Sequence, residues 1–280
     1  MEPRRWTHLP IGTNAGSVDY VYSTGDLHFD PTLRIEDARV DLHTILLSYN
    51  RYFALADMTA RADVQLPIQS GRWKGLLDGE PRSVGRTGLG DPRVRLSMNF
   101  AGAPALEAEE FQEYIRSHED RTLAGAALAI RLPLGQYDDD KLINLGDHRF
   151  VFEPQLGVVH TRGPWSLELT GSVFLYTNND DFFNGSRLEK DPLYSIQGHV
   201  VRTFDAGFWI SAGASYGLGG ESEVDGMRKG DERSNLLYGV LGGVSLGSQQ
   251  SLRVGYIRQE AFKKVGADTH NVLLGWATRF

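Results

Sequence analysis

Residues 271–280 read NVLLGWATRF. Val272, Leu274 and Trp276 occupy every second position and Phe280 ends the run, while Asn271, Gly275 and Arg279 are small or polar. Successive side chains of a strand point to opposite faces, so this segment is a strand with one apolar face. A strand apolar on one face up to a terminal aromatic is the form of the closing strand of a bacterial outer-membrane barrel. Trp276 and Phe280 are then expected to belong to the C-terminal signal read by the barrel-insertion machinery. The solvent of such a strand is lipid, and the functional question becomes what lines or crosses the lumen.

Composition alone would argue otherwise. The charged fraction is 23%, the mean hydropathy is −0.32, and no run has the length of a membrane-spanning helix. A barrel strand, however, shows lipid only every second residue, which dilutes its hydropathy signal. The 32 glycines against 11 prolines favour a sheet-rich chain over a disordered one. A net charge of −7 argues against a nucleic-acid partner. With no cysteine there is no disulfide frame and no thiolate metal site, and no cofactor is expected. The opening MEPRRWTHLPIGTN holds no apolar segment of signal-peptide type, so an export signal absent from this chain is expected. Residues 1–14 are then a periplasmic N-terminal segment and 15–280 a single barrel domain.

Working back from the C-terminus, alternation recurs roughly every 20–25 residues, which suits spanning strands plus connections. In TARADVQLPI, Ala60, Ala62, Val64, Leu66 and Ile68 oppose Thr59, Arg61, Asp63 and Gln65. Val94, Leu96, Met98 and Phe100 oppose Arg93, Arg95, Ser97 and Asn99. Further runs place Ala124, Ala126, Leu128, Ile130 and Leu132 against Arg131, and Phe150, Phe152, Leu156 and Val158 against Arg149, Glu153 and Gln155. Trp165, Leu167, Leu169, Val173 and Leu175 oppose Ser166, Glu168, Thr170 and Ser172. Weaker runs bring the expectation to an all-β, single antiparallel transmembrane barrel of about twelve strands. Short connections near 55–58, 161–164, 205–207 and 247–250 alternate with long ones near 25–38, 69–88, 135–147, 177–191, 219–232 and 260–268. Short turns on one side and long loops on the other mark periplasmic and extracellular ends. PALEAEEFQEYIRSHED breaks the rule on the short side. Leu106, Phe111, Tyr114 and Ile115 have helical spacing, so one short periplasmic helix is expected, packed under the barrel or docking a partner.

Aromatics mark the strand ends. Phe53, Phe100, Trp165, Phe204, Phe208, Trp276 and Phe280 fall to one side and Tyr20, Tyr22, Tyr176, Tyr194 and Tyr216 to the other, as two bilayer interfaces would select.

If the apolar faces meet lipid, the opposite faces line the lumen with Arg61, Asp63, Asp91, Arg93, Arg95, Arg131, Arg149, Glu153 and Glu168. Such charges either pair into a bracing network or form a wall that orients a polar or anionic solute. Elsewhere Ser211, Gly213, Ser215, Gly217, Gly239, Gly243, Ser245 and Gly247 would leave open volume beside the charges. Occupation of that space by an inward loop or by the N-terminal segment is the alternative. His43 and His199 are read as inward and structural, and Phe174 and Tyr176 as rings offered to aromatic solutes.

Enzyme signals are weak. The strings Gly213-Ala-Ser215-Tyr-Gly217 and Gly243-Val-Ser245-Leu-Gly247 match G-x-S-x-G but sit inside alternating strands, without the strand–turn–helix that a nucleophile elbow needs. An outer-membrane lipid hydrolase is the remaining enzyme alternative, and no catalytic residue is assigned. The acid runs Asp138–Asp140 and Asp180–Asp181 read as solvated loop, or as cation bridges to lipopolysaccharide phosphates.

Four strings carry a resemblance: LPIGTNAGSVDYVYSTGDLHFDP, TGLGDPRVRLSMNFAGAPAL, IRLPLGQYDDDKLINLGDHRFVFEPQLG, and LYTNNDDFFNG followed by DPLYSIQGHVVRTF. From Leu9 to Phe280 the chain resembles a bacterial family of outer-membrane transporters linked to the meta-cleavage pathway of phenol degradation. The resemblance implies a barrel in the cell outer membrane and uptake of small aromatic or hydrophobic compounds. It supplies no solute-contacting residues. The expected function is a channel for passive or facilitated uptake of small molecules, its partners being outer-membrane lipid and lipopolysaccharide, the insertion machinery and a small solute. The alternative is a closed structural or docking barrel without transport.

Overall fold

The computed structural model describes residues 1–29, 35–204 and 207–280. Twelve strands follow one another around a ring: β1 (Asn14–His28), β2 (Ile35–Leu55), β3 (Met58–Leu77), β4 (Arg93–Ala101), β5 (Arg121–Arg131), β6 (Val151–Arg162), β7 (Trp165–Tyr176), β8 (Leu193–Thr203), β9 (Phe208–Gly219), β10 (Arg233–Leu246), β11 (Gln250–Ala261) and β12 (Gly266–Arg279). Each pairs antiparallel with its chain neighbours, and β12 pairs with β1 from Gly266↔His28 to Arg279↔Ala15, which closes the barrel. Closure removes every sheet edge, the requirement for backbone that has no water to bond. Among the described residues no helix is long and apolar enough to cross a membrane; the strands do the crossing.

The outer surface follows the alternation. Leu167, Ile196, Val254 and Leu274 are each more than half exposed, and comparable side chains ring the barrel. At about 25 cal/mol per Å² of apolar surface, such a belt is untenable in water and at home in lipid. The interior face carries buried polar groups instead: Asp19, Arg95, Gln155, Glu168, Thr170 and His199.

At the short-turn end, β2 and β3 are joined by Ala56 and Asp57, both left-handed (φ 48° and 59°), the two-residue turn whose twist matches that of the strands. The expected helix is there: α1 (Ala108–Ser117), opened by a capping box between Glu107 and Glu110, with Phe111 buried against the barrel mouth. Asp205 and Ala206, on the expected short turn there, lie outside the described residues.

The long-loop end departs from expectation. The stretch 69–88 is not a loop: β3 continues to Leu77, turns through Asp78 and Gly79 (φ 52° and 79°), and returns as an arm over Glu80–Leu89. Ser70, Arg72 and Lys74 continue the parity of Leu66 and Ile68 but are polar, so the hydropathy pattern that reveals lipid-facing strands is absent. The expected loops 177–191 and 219–232 contain short strands, Asn179–Phe182, Ser186–Lys190, Ser222–Val224 and Met227–Arg228, which form a separate four-stranded sheet over the mouth. Residues 30–34, within the expected 25–38 loop, lie outside the described residues.

The closing seam has its own fastening. Arg253 on β11 reaches across β12 to donate from Nε to Asp19 Oδ1 on β1 at 2.7 Å, with a second bond from Nη2 to Oδ2. The residue beneath this pair is Gly275, where an added Cβ would stand 2.0 Å from Asp19 Oδ1.

Candidate functional site: the lumen and its plug

The interior charges of β3, β4 and β6 form one connected ladder. Asp63 and Arg95 are direct cross-strand partners, and Asp63 accepts from Arg61 Nε at 2.9 Å and from Arg95 Nη1 at 3.3 Å. On the other side Arg95 Nε donates to Gln155 Oε1 (3.1 Å), Gln155 Nε2 to Glu153 Oε1 (2.6 Å), and Arg93 pairs with Glu153 at 2.9 Å. Arg93 and Arg95 stand on β4 and their partners on β6. They can meet because the residues of intervening β5 that stand beside Glu153 and Gln155 are Ala129 and Ala127. Buried charges that lose water must find such partners.

Of residues 1–14, set apart in the sequence as a periplasmic segment, the part that precedes β1 turns into the barrel. Arg4 donates its backbone N–H to Glu168 Oε2 at 2.7 Å, and its guanidinium lies 5.4 Å from the centre of the Trp209 ring. Trp6 is 2% exposed and donates from Nε1 to Thr170 Oγ1 at 2.9 Å, while its carbonyl accepts from Asn99 Nδ2. The Arg95 guanidinium covers the indole at 5.0 Å. The indole rests on Gly125 and Gly157, register partners on β5 and β6, where added Cβ atoms would approach it to 2.6 and 2.0 Å. From below, His8 bonds the Pro104 carbonyl at 2.9 Å and meets Phe111 and Tyr114 of α1 edge-on. The helix therefore pins the plug as well as packing under the barrel. Beside the plug a vestibule of about 640 Å³ remains, running from Gln112 and Arg121 at the mouth past Trp6 to Glu168.

At the long-loop end Asp91 sits in the break before β4. Its carboxylate accepts from the backbone N–H groups of Gly135 and Asp147, both at under 3 Å, and so draws the loop after β5 inward. Arg131 pairs with Asp147 at 2.7 Å. Arg149, 8% exposed, lies over Tyr176 with its guanidinium 5.0 Å from the ring centre.

Two sequence readings change here. His43 does not face inward: it shares the parity of the exposed Ile45 and Leu47, and its Nδ1 bonds Tyr20 OH at 2.7 Å on the outer face. The column of small residues is not simply open volume. The His199 ring lies over Gly213, its register partner, and the Trp209 indole over Gly243. Glycine on an inward face marks the place of a ring as readily as a void. Ser215 bonds Ser195 Oγ at 3.3 Å in mid-strand, and Ser245 is exposed at the rim, where its Oγ donates to the Gly207 carbonyl.

On the outer wall Pro154, which has no N–H to give, leaves Glu153–Phe174 and Pro154–Val173 unpaired between β6 and β7. An apolar hollow of about 720 Å³ lies there, lined by Leu156, Gly171, Val173, Tyr194 and Ile196.

A family model described as "Putative MetA-pathway of phenol degradation" matches residues 11–263. The chain belongs to this family. Comparison with curated protein sequences finds no match. Among solved structures, the COG4313 outer membrane channel from Pseudomonas putida F1 is 23% identical, with 100% of each chain covered and a TM-score of 0.82. The transport unit of the autotransporter AIDA-I from Escherichia coli is 9% identical (100% and 93% covered, TM-score 0.56). The translocator domain of NalP from Neisseria meningitidis is 12% identical (98% and 90%, TM-score 0.53). These likenesses show the fold, and a closed barrel with an apolar belt is the architecture of outer-membrane proteins.

The residues that sequence reasoning missed are those of the plug, Arg4 and Trp6, the Trp209 platform, and the Asp19–Arg253 fastening. One signal was available for Trp6. Gly125 and Gly157 lie at inward positions of neighbouring strands, a paired gap that only a large ring from elsewhere in the chain would fill.

Proposed function

We infer that this protein is an outer-membrane channel for passive or facilitated uptake of small molecules, with aromatic or hydrophobic compounds such as phenol as the solute class. The observation that carries this reading is a vestibule of about 640 Å³ beside a short N-terminal segment that enters the lumen. Inside the lumen the segment is held by contacts to the side chains of Glu168, Thr170, Asn99 and Trp209, and at its base by backbone bonds of Ile11 to Leu106 and of Gly12 and Thr13 to Tyr52, so withdrawing its inner part requires no strand to unpair. The family's description in terms of phenol degradation supports the solute class. Lipid and lipopolysaccharide are the surroundings, and Trp276 with Phe280 forms the signal for the insertion machinery.

A closed structural or docking barrel is the second reading, favoured by the clamp of α1 on His8. Permeation separates the two. The protein is refolded into liposomes, and flux of benzoate, phenol-sized neutral aromatics, sugars and ions is measured against protein-free vesicles, for the native chain and for Trp6→Ala. Protein-dependent flux that rises in the variant is expected. A folded barrel that passes no solute in either form sinks the channel.

A further inference from the structure

The long-loop mouth collects cations: Arg131 is paired with Asp147 and Lys190 Nζ donates to Ser222 Oγ at 3.3 Å, but Arg149 is left with unbonded nitrogens. Arg149 is 8% exposed, yet its Nε and Nη1 have no hydrogen-bond partner among the described residues. Its guanidinium stands 5.0 Å from the centre of the Tyr176 ring, and Lys190 Nζ stands 5.7 Å from the same centre. The fields of Arg131 and Arg233 reach the same place. The acids nearby are already engaged: Asp147 with Arg131 at 2.7 Å, and Asp231 with the Ser222 backbone N–H at 2.6 Å. The Asp147 charge favours the Arg149 guanidinium but makes no ion pair with it among the described residues, so its buried donors stay without acceptors, which is costly. In the periplasmic half Arg61, Arg93 and Arg95 each make an ion pair with a carboxylate, which Arg149 does not, although Arg95 Nη2 there also lacks a hydrogen-bond partner. Burial lowers the Lys190 ammonium to about 8, with the Arg233 charge adding to the effect, a strain that a bound anion would relieve.

We propose that Arg149, Lys190 and Tyr176 form a binding site for a small aromatic carboxylate at the extracellular mouth of the lumen. The Arg149 guanidinium takes the carboxylate, with Nε or Nη1, both without acceptors, sharing a fork with Nη2 that suits its two oxygens. Tyr176 and Phe174, successive interior residues of β7, take the ring. The site names the solute class within the channel reading and rests on that reading for its purpose, though not for its existence.

The test uses the refolded full chain in detergent and measures binding of benzoate and of its neutral counterpart, benzyl alcohol, by ligand-observed NMR titration. The native protein should bind benzoate about tenfold more tightly, the worth of one charge-assisted bond. Arg149→Gln should abolish that preference and leave benzyl alcohol unaffected. Arg162→Gln, at the opposite end of the barrel where the native side chain is 80% exposed, should change neither. Arg149→Lys, which keeps the charge and loses the fork, should fall between. Equal affinity for the two probes, or a preference that survives Arg149→Gln in a folded barrel, overturns the site. The liposome assay keeps the two ideas apart. Flux without benzoate preference removes the site and leaves the channel; benzoate binding without any flux removes the channel and leaves the site.

Discussion

The two halves of the lumen handle charge in opposite ways. In the periplasmic half, Arg61, Asp63, Arg95, Gln155, Glu153 and Arg93 form an unbroken chain of bonds, and the N-terminal segment fills the remaining space. In the extracellular half, Arg149 and Lys190 crowd one tyrosine ring and the guanidinium edge of Arg149 is left unbonded. One half is braced and the other is receptive. The difference assigns stability to the first and recognition to the second, and substitutions in the two halves should therefore fail in different assays.

The largest effect is expected at the plug. Trp6→Ala removes the indole from its glycine floor, at a local cost of about 3–5 kcal/mol for a buried tryptophan. Because the barrel wall is untouched, the readout should be conductance: single-channel current should rise and trypsin should cut after Arg4 and Arg5. Gly157→Val should do the same with the indole intact, since a Cβ there would stand 2.0 Å from Trp6 Nε1. A silent Gly157→Val in a folded protein would show that the indole does not occupy that floor.

Bracing comes next. Asp63→Asn strands Arg95, whose side chain is 2% exposed, and the loss of one partner of a buried pair costs on the order of 3 kcal/mol. The urea midpoint should drop while benzoate binding stays as it was. An unchanged midpoint would mean that water enters the ladder and the halves differ less than they look.

A smaller effect tests the receptive half. Lys190 is held near 8, so its charge is present below that pH and is lost above it. The charged groups that face it are Arg149, Arg233, Asp147 and Asp231. Benzoate affinity should therefore weaken as pH rises through about 8, and Lys190→Gln should flatten the profile. The smallest effect is expected outside the lumen: Arg39→Ala breaks an ion pair with Asp26 in which both side chains are more than half exposed, worth less than about 1 kcal/mol. A thermal shift comparable to that of Asp63→Asn would erase the contrast between bracing and surface pairs.

The wall was legible in the sequence and its filling was not. Strands such as Trp165–Tyr176 announce themselves because lipid enforces a period of two on one face. The arm at Glu80–Leu89 rises beyond lipid, loses that period, and reads as loop. Interior charges could be placed by parity, but parity says nothing of partners: that Arg95 reaches Gln155 depends on the alanines between them. Trp6 was legible only through the paired inward glycines of its floor, for a related reason. Its floor is made by strands more than a hundred residues away in the chain, and neither the plug nor the floor has a periodic signature.

The fastening at the seam carries a consequence for biogenesis. Asp19 and Arg253 are 234 positions apart, and the bond between them passes over Gly275 of the strand that lies between. It cannot form until that strand has been laid down, so it is a latch that registers a finished molecule. A chain stalled before its last strand has both halves of the latch and nothing to fasten across. Such a chain should remain open to periplasmic proteases, and quality control would need no other cue to tell it from the completed product.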